Sequence, residues 1–268
     1  MRIVVCAKQA LDPDAVNNYA LVGNLTMDAD GRHPEVAAIP RIINKYDEQA
    51  LEAALRLRDA GNECTITVVT VGALEGELQK QLQKCVAMGA DEIAAIDPAG
   101  VELDCLGVAT VLKAYVDSIG GADLVLCGRQ APDDDQGVVP GLLAEQLGMA
   151  MAPIARAIEA SGETLTITRA TPNGDEVVEG NTPALVTITN ELGEPRFPAA
   201  KAKMKARKAK PTALTISDLG LSADALAPKV ELLKQYVPEV QGNCEFLEGS
   251  PEEVAKQLID KLRADSSI

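Results

Sequence analysis

The first 145 residues alternate between two hydrophobic periods. Residues 2–6 (RIVVC) form a short unbroken apolar run, the pattern of a strand buried on both faces. Residues 64–71 (CTITVVTV), 92–96 (EIAAI) and 123–127 (DLVLC) repeat it. Between these runs the period lengthens. Residues 46–60 place Ala50, Leu51, Ala54, Leu55 and Leu57 on the apolar side of a helix that stops at Gly61. Residues 74–88, 104–118 and 138–147 read as helices that stop at Gly89, at Gly120-Gly121 and at Gly148. Strand and helix thus alternate at about 30-residue spacing, which predicts an α/β fold with a doubly wound, mainly parallel sheet.

Two stretches break the rhythm. From Asp12 to Ile39 the chain is polar, and Asp28-Ala29-Asp30-Gly31 is a turn signal consistent with a small hairpin. After about residue 150 the pattern becomes antiparallel: strands at 155–159, 164–169 and 175–179, joined by polar turns such as Pro172-Asn173-Gly174, and then a strong β run at 183–189. A basic segment and a Pro-punctuated tail lead to residue 249. A final helix is predicted over 251–263, opened by Ser250-Pro251-Glu252-Glu253: an N-cap serine, proline at the first helical position and acidic residues in the first turn.

Composition narrows the picture. The chain has 268 residues, 47% of them hydrophobic, yet no Trp, two Phe and four Tyr, so its core must be aliphatic. The formal net charge of -15 repels phosphate backbones and argues against a nucleic-acid partner. The six cysteines form no CxxC pair and mostly sit in apolar runs, as expected of buried free thiols in a reducing, cytoplasmic setting. The opening MRIVVCAK lacks the form of a signal peptide. No apolar run reaches the roughly 18 residues of a membrane span, so no direct membrane insertion is expected.

Neither GxGxxG nor GxxxxGK[ST] is present, so the common phosphate-binding signatures are absent. In an open parallel sheet, ligands bind at the carboxyl ends of the strands. Four segments fall there: Ala7-Lys8-Gln9, Thr70-Val71-Gly72, Asp97-Pro98, and Gly128 to Gly141. The last carries Asp133, Asp134 and Asp135 and runs into a helix, whose N-terminal N–H groups suit a phosphate. The aspartates would repel a bare phosphate. They fit turning the loop, capping the helix, or accepting from a ribose or from Lys8; an ordinary acidic loop fits the same residues. His33, the single histidine, has no second histidine to pair with and reads as exposed. No catalytic constellation and no metal site emerges. Residues 201–210 hold six of the 25 basic residues and no acidic one, which fits either a solvated loop or a docking arm for an acidic partner.

Four segments together resemble the beta subunits of electron-transferring flavoproteins. They are the opening strand into Ala7-Lys8-Gln9; Asn44 to Ala54, with Asn44, Asp47 and an Ala-x-Glu helix; Ala87-Met88-Gly89-Ala90-Asp91 followed by Leu124 to Ala131 and the acidic loop; and Pro183 to Thr187 followed by Glu194-Pro195-Arg196-Phe197 and the basic segment. The resemblance implies an adenine-nucleotide-binding α/β domain over residues 1–190 and, over 191–268, a docking loop and an arm wrapping a larger alpha subunit.

It further implies an FAD held mainly by that larger subunit and a second nucleotide in this one. That nucleotide is AMP in the common carriers, or a second FAD, with NAD as electron source, in the electron-bifurcating members. Nucleotide contacts would fall on Ala7, Lys8, Asn44, Asp47, Thr70, Gly72, Asp104, Gly128, Gln130, Asp133, Asp135, Gln136, Gly137, Val138 and Val139. Docking contacts would fall on Arg196, Ala200, Lys201, Lys203, Met204 and Lys205. The implied partners are flavin dehydrogenases such as acyl-CoA dehydrogenase and a membrane quinone oxidoreductase. Three departures stand out. Gly137-Val138-Val139-Pro140 replaces the Asn-Gln-Thr-Gly of AMP-type members. Asp134 and Val138 replace a Gly and a Gln of bifurcating members, whose threonines near 105 and 108 are Cys105 and Val108 here. Ala200 replaces the docking leucine. Since these changes remove donors that a long cofactor needs, AMP is expected over FAD.

Overall fold

The computed structural model describes the chain except for residues 30, 32, 33, 238–243 and 266–268. Its strands are β1 (Arg2–Cys6), β2 (Gln9–Leu11), β3 (Arg41–Ile43), β4 (Thr65–Val71), β5 (Glu92–Asp97), β6 (Leu124–Gly128), β7 (Ala150–Ser161), β8 (Thr164–Thr171), β9 (Gly174–Asn181), β10 (Ala184–Ile188) and β11 (Thr212–Thr215). The helices are α1 (Pro13–Leu21), α2 (Lys45–Asp59), α3 (Leu78–Met88), α4 (Cys105–Ser118), α5 (Val139–Leu147), α6 (Ala200–Ala206) and α7 (Pro251–Ala264).

Nine strands form one sheet in the order β11-β5-β4-β1-β6-β10-β7-β8-β9. Only the β7–β8 and β8–β9 pairs are antiparallel; β2 and β3 form a separate two-stranded sheet. From β1 the chain steps outward to β4 and β5, then crosses back to β6 on the other side of β1. The order therefore reverses between β1 and β6, where an open α/β sheet opens a crevice for ligands.

Alternation along the central strands explains the two helical layers. Ile3 and Val5 of β1, with Ile66 and Val68 of β4, face α2 and α3. Val4 of β1, with Val69 of β4 and Val125 of β6, faces α4 and α5. Both layers are almost purely aliphatic, as the scarcity of aromatics requires; Tyr115 is a buried exception.

The doubly wound sheet, its antiparallel extension and the final helix follow the pattern of the sequence. The Ser250–Glu253 capping box opens α7. Other elements differ from expectation. The polar stretch after Asp12 contains α1, capped by Asp12 with proline at its start; none of its residues is buried, so it has no apolar stripe to betray it. The predicted helix over 74–88 starts only at Leu78. The basic segment is largely the helix α6 rather than a loop. In the Pro-punctuated tail, Thr212–Thr215 becomes β11, paired in parallel with β5.

Met27 bridges Pro34, and the Gly31 N–H donates to Asp28 O at 3.0 Å, in keeping with the small hairpin. The expectation for His33 lies outside the described residues. The six cysteines are free thiols: Cys6, Cys85 and Cys127 are buried, Cys64 and Cys105 half-buried, and Cys244 exposed. Among the described residues no helix is long and apolar enough to cross a membrane.

Candidate functional site

The crevice between β1 and β6 is organised by the N-terminus of α2. Asn44 caps this helix by accepting the Tyr46 N–H, and its Nδ2 donates to Gln130 O at 2.8 Å. Its own N–H donates to Lys8 O at 2.9 Å. Three residues later, Asp47 accepts the Lys8 N–H at 2.7 Å on one oxygen and the Gly128 N–H at 2.8 Å on the other. Asn44 and Asp47 are both buried, so these two side chains tie the β1 loop to the β6 loop from beneath. Burial pushes the Asp47 carboxyl up to about 7, against the pull of its two N–H donors and of Lys8.

Gly128 belongs to the same arrangement. A Cβ there would lie 2.5 Å from Asp47 Oδ1 and 2.6 Å from Tyr46 Cβ. The residue must be glycine for α2 to approach the end of β6 this closely.

Above this base the three aspartates separate. Lys8 Nζ lies 2.7 Å from Asp133 Oδ1 and 3.0 Å from Asp134 Oδ2. Although burial opposes it, these two carboxylates raise the Lys8 ammonium above its ordinary value. Asp135, at φ +55°, accepts from Gln130 Nε2. Gln136 Oε1 accepts from Cys105 Sγ at 3.1 Å, joining the loop to the start of α4. Gly137 follows at φ +61°, so near the start of its own loop that a Cβ would sit 2.8 Å from Arg129 O. The α5 helix then begins with no side chain capping it and no acidic residue in its first turn. Its N–H groups and positive dipole end are left for an external acceptor such as a phosphate.

On the neighbouring strand β4, the hydroxyl of Thr70 is buried without a hydrogen-bond partner, alone in this among the buried side-chain polar atoms of the described residues. Such an orphaned group at the carboxyl end of a strand fits a site completed by a ligand. Ala7, whose N–H donates to Val69 O at 2.8 Å, places the β1 loop beside it. The donors and acceptors around this crevice therefore suit a nucleotide.

Some expected residues bring no free polar side chain to it. Asp104 is the N-cap of α4; one oxygen accepts the Gly107 N–H at 2.8 Å and the other the Lys229 N–H at 2.6 Å. These backbone donors hold its carboxyl below the usual range and pin the arm to α4. Gly72 turns toward β5, donating its N–H to Ile96 O, and a Cβ there would meet only Leu78 at ordinary distance. Val138 is exposed, whereas Val139 is half-buried against the core. Asp134 was not among the expected nucleotide contacts; it completes the Lys8 bridge, one of the roles open to the acidic triplet from sequence.

The expected docking segment lies apart from the crevice. Ala200, Lys201, Lys203, Met204 and Lys205 are exposed on or at the start of α6. Phe197 is 84% and Met204 69% exposed, and Lys203 Nζ stands 3.8 Å from the centre of the Phe197 ring. Arg196 instead turns inward: Nε lies 2.7 Å from Glu52 Oε2, and Nη2 lies 2.7 Å from Asp59 Oδ2.

Comparison with known proteins agrees with this geometry. Residues 36–219 match the electron transfer flavoprotein domain. The chain is 32% identical over 268 residues to the caffeyl-CoA reductase-Etf complex subunit CarD of Acetobacterium woodii, covering 98% of each chain. It is 31% identical to an electron transfer flavoprotein subunit beta of Thermoanaerobacterium thermosaccharolyticum, again over 98% of each. With the corresponding subunit of Bacillus subtilis it shares 33% identity, over 85% of this chain and 88% of that one. An α/β sheet reversing at β1/β6, a full-length match to beta subunits and a family domain spanning most of the chain converge: the chain belongs to the electron transfer flavoprotein family, among its beta subunits.

Proposed function

We propose that this chain pairs with a larger alpha subunit, which holds FAD, and that the heterodimer carries electrons from flavin dehydrogenases, acyl-CoA dehydrogenases among them, to an electron-transport acceptor such as a membrane quinone oxidoreductase. In this reading residues 1–190 hold an AMP in the β1/β6 crevice. Residues 191–268 supply the docking segment and an arm around the alpha subunit, and the complex works in the cytoplasm.

The observation that carries the reading is the uncapped start of α5 beside a partnered aspartate triplet. Lys8 and Gln130 each hold carboxylate oxygens of the triplet, so a single phosphate accepting there would meet paired rather than free carboxylates. The unsatisfied Thr70 hydroxyl, one strand away, supports a polar ligand in the same crevice. The AMP reading adds no catalytic residue from this chain: its part is to bind the nucleotide, hold the loops and present a docking surface.

A second reading has support of its own. CarD, a relative matching nearly end to end, is by name a subunit of a reductase complex. A cavity of about 470 Å³ also opens beside Pro132 and Asp133, lined by Leu11, Val16, Met27 and Tyr236. It leaves apolar room for a longer cofactor, a second FAD reduced by NADH. Cofactor stoichiometry of the purified heterodimer decides between them. One FAD and one AMP per dimer supports the carrier; two FAD per dimer with reduction by NADH replaces it with the bifurcating reading.

A further inference from the structure

The docking segment is held at both ends while its middle faces outward. At one end, the backbone N–H of Arg196 donates to Glu52 Oε2 at 3.1 Å, Nε donates to the same oxygen at 2.7 Å, and Nη2 reaches Glu52 Oε1 at 3.2 Å and Asp59 Oδ2 at 2.7 Å. Glu52 is buried in α2, so its carboxylate is a fixed point rather than a mobile surface group. At the other end, Gln83 Nε2 on α3 donates to Arg207 O at 3.1 Å and to Ala209 O at 3.0 Å. Ala206 is buried beside it. Between the clamps, Phe197 and Met204 point to solvent.

From this arrangement we propose that Arg196 and Gln83 are positioning residues. They hold the Phe197–Met204 surface in one orientation before a partner arrives, and Arg196 itself touches no partner. This rests on the docking role given above and assigns a different part to Arg196. The guanidinium suits the task because its planar fork reaches both Glu52 oxygens and Asp59 together, which a lysine ammonium cannot. A preorganised surface has less motion to lose on association, so breaking the clamp weakens partner encounter without altering the electron-transfer step.

The test uses the purified heterodimer carrying Arg196→Ala, Arg196→Lys, Gln83→Ala or Lys203→Ala. Two quantities are read: amide hydrogen exchange of residues 197–206, and flavin reduction by an acyl-CoA dehydrogenase with its acyl-CoA. In Arg196→Ala and Gln83→Ala, exchange of the segment speeds up about tenfold. The apparent KM for the dehydrogenase rises roughly fivefold with kcat unchanged. Arg196→Lys recovers part of both. Lys203→Ala, a surface contact, raises KM and leaves exchange as it was. Unchanged exchange in Arg196→Ala overturns the clamp, and so does full recovery of both quantities by Arg196→Lys. Faster exchange with an unchanged KM keeps the clamp and refutes the docking role of the segment. A wild-type heterodimer that takes no electrons from the dehydrogenase refutes that partner, and exchange alone then decides the clamp.

Discussion

Asp47 and Gly128 require each other: Asp47 Oδ1 accepts the Gly128 N–H at 2.8 Å, and a Cβ on Gly128 would lie 2.5 Å from that same oxygen. The close approach that makes the hydrogen bond also excludes any side chain. Through this pair and the Lys8 N–H, one carboxylate sets the spacing of the two loops that border the crevice.

Replacing Asp47 by Ala leaves the part-buried Lys8 N–H and the buried Gly128 N–H without acceptors. The expected loss is about 2–4 kcal/mol of stability, from two orphaned donors. Denaturant unfolding of the purified heterodimer measures it, and nucleotide content after gel filtration falls in parallel.

Asp47 also gives the fold a pH dependence. Its folded-state value, about 7, lies above the 3.8 of a free carboxyl. The contribution of the neutral form is therefore fully present below about pH 4 and is lost as pH rises through about 7. Stability measured from pH 5 to 8 should decline by about 2–4 kcal/mol at most on this account. The decline should flatten in Asp47→Asn, which cannot titrate; an identical slope in the variant assigns the dependence elsewhere.

Gly128→Ala should damage the site by displacement rather than by loss of a contact. The added methyl meets Tyr46 backbone and Cβ as well as the Asp47 carboxylate, and backbone cannot yield cheaply. A loss of about 2–3 kcal/mol is expected from overpacking. By contrast, Gly141→Ala, which meets nothing within 4 Å, should be tolerated when both variants are compared by thermal unfolding.

Lys8→Ala separates stability from binding. Its bridges to Asp133 and Asp134 are half-exposed, so unfolding should shift by less than about 1 kcal/mol. Nucleotide affinity should fall about tenfold, because two uncompensated carboxylates then face the phosphate position. Titration calorimetry on nucleotide-depleted heterodimer, at low and high salt, checks both the loss and its screening.

Charge reversal at Lys201, Lys203 and Lys205 should slow electron transfer with an acidic partner dehydrogenase, mainly through the encounter rate. The deficit should shrink as salt rises, since exposed charges are screened. Stopped-flow rates equal to wild type at low salt would show that α6 is a solvated helix only.

The legibility of the chain varied with burial. Strands β1, β4, β5 and β6 could be read directly, because a strand covered on both faces must be apolar at most of its positions. The helices on those faces announced themselves by an apolar stripe and a terminal glycine, as α2, α4 and α5 do. The exposed α1 and the Lys/Ala-rich α6 carry no such stripe and passed for loops. Four residues, Thr212–Thr215, become β11 only because the edge of β5 is there to pair with them.

At the crevice, the sequence by itself determined which loops lie at the strand ends and which residue types they bring: a lysine after β1, an Asn and an Asp at the start of α2, an acidic triplet and glycines after β6. Local periodicity and turn chemistry suffice for that, since they act over a few neighbours. Only the tertiary structure decided how the polar groups divide. Asp47 was expected to meet a nucleotide, yet both its oxygens serve backbone N–H groups that lie 39 and 81 residues away in the chain. Asp133 and Asp134 turn to Lys8 and Asp135 to Gln130, so each carboxylate of the triplet has its own side-chain donor. Arg196, placed among docking residues by the family resemblance, is claimed by Glu52 at a separation of 144. A hydrogen bond is short and directional, so its partner is chosen by whichever group the packed sheet and helices bring within about 3 Å, and sequence distance says nothing of that.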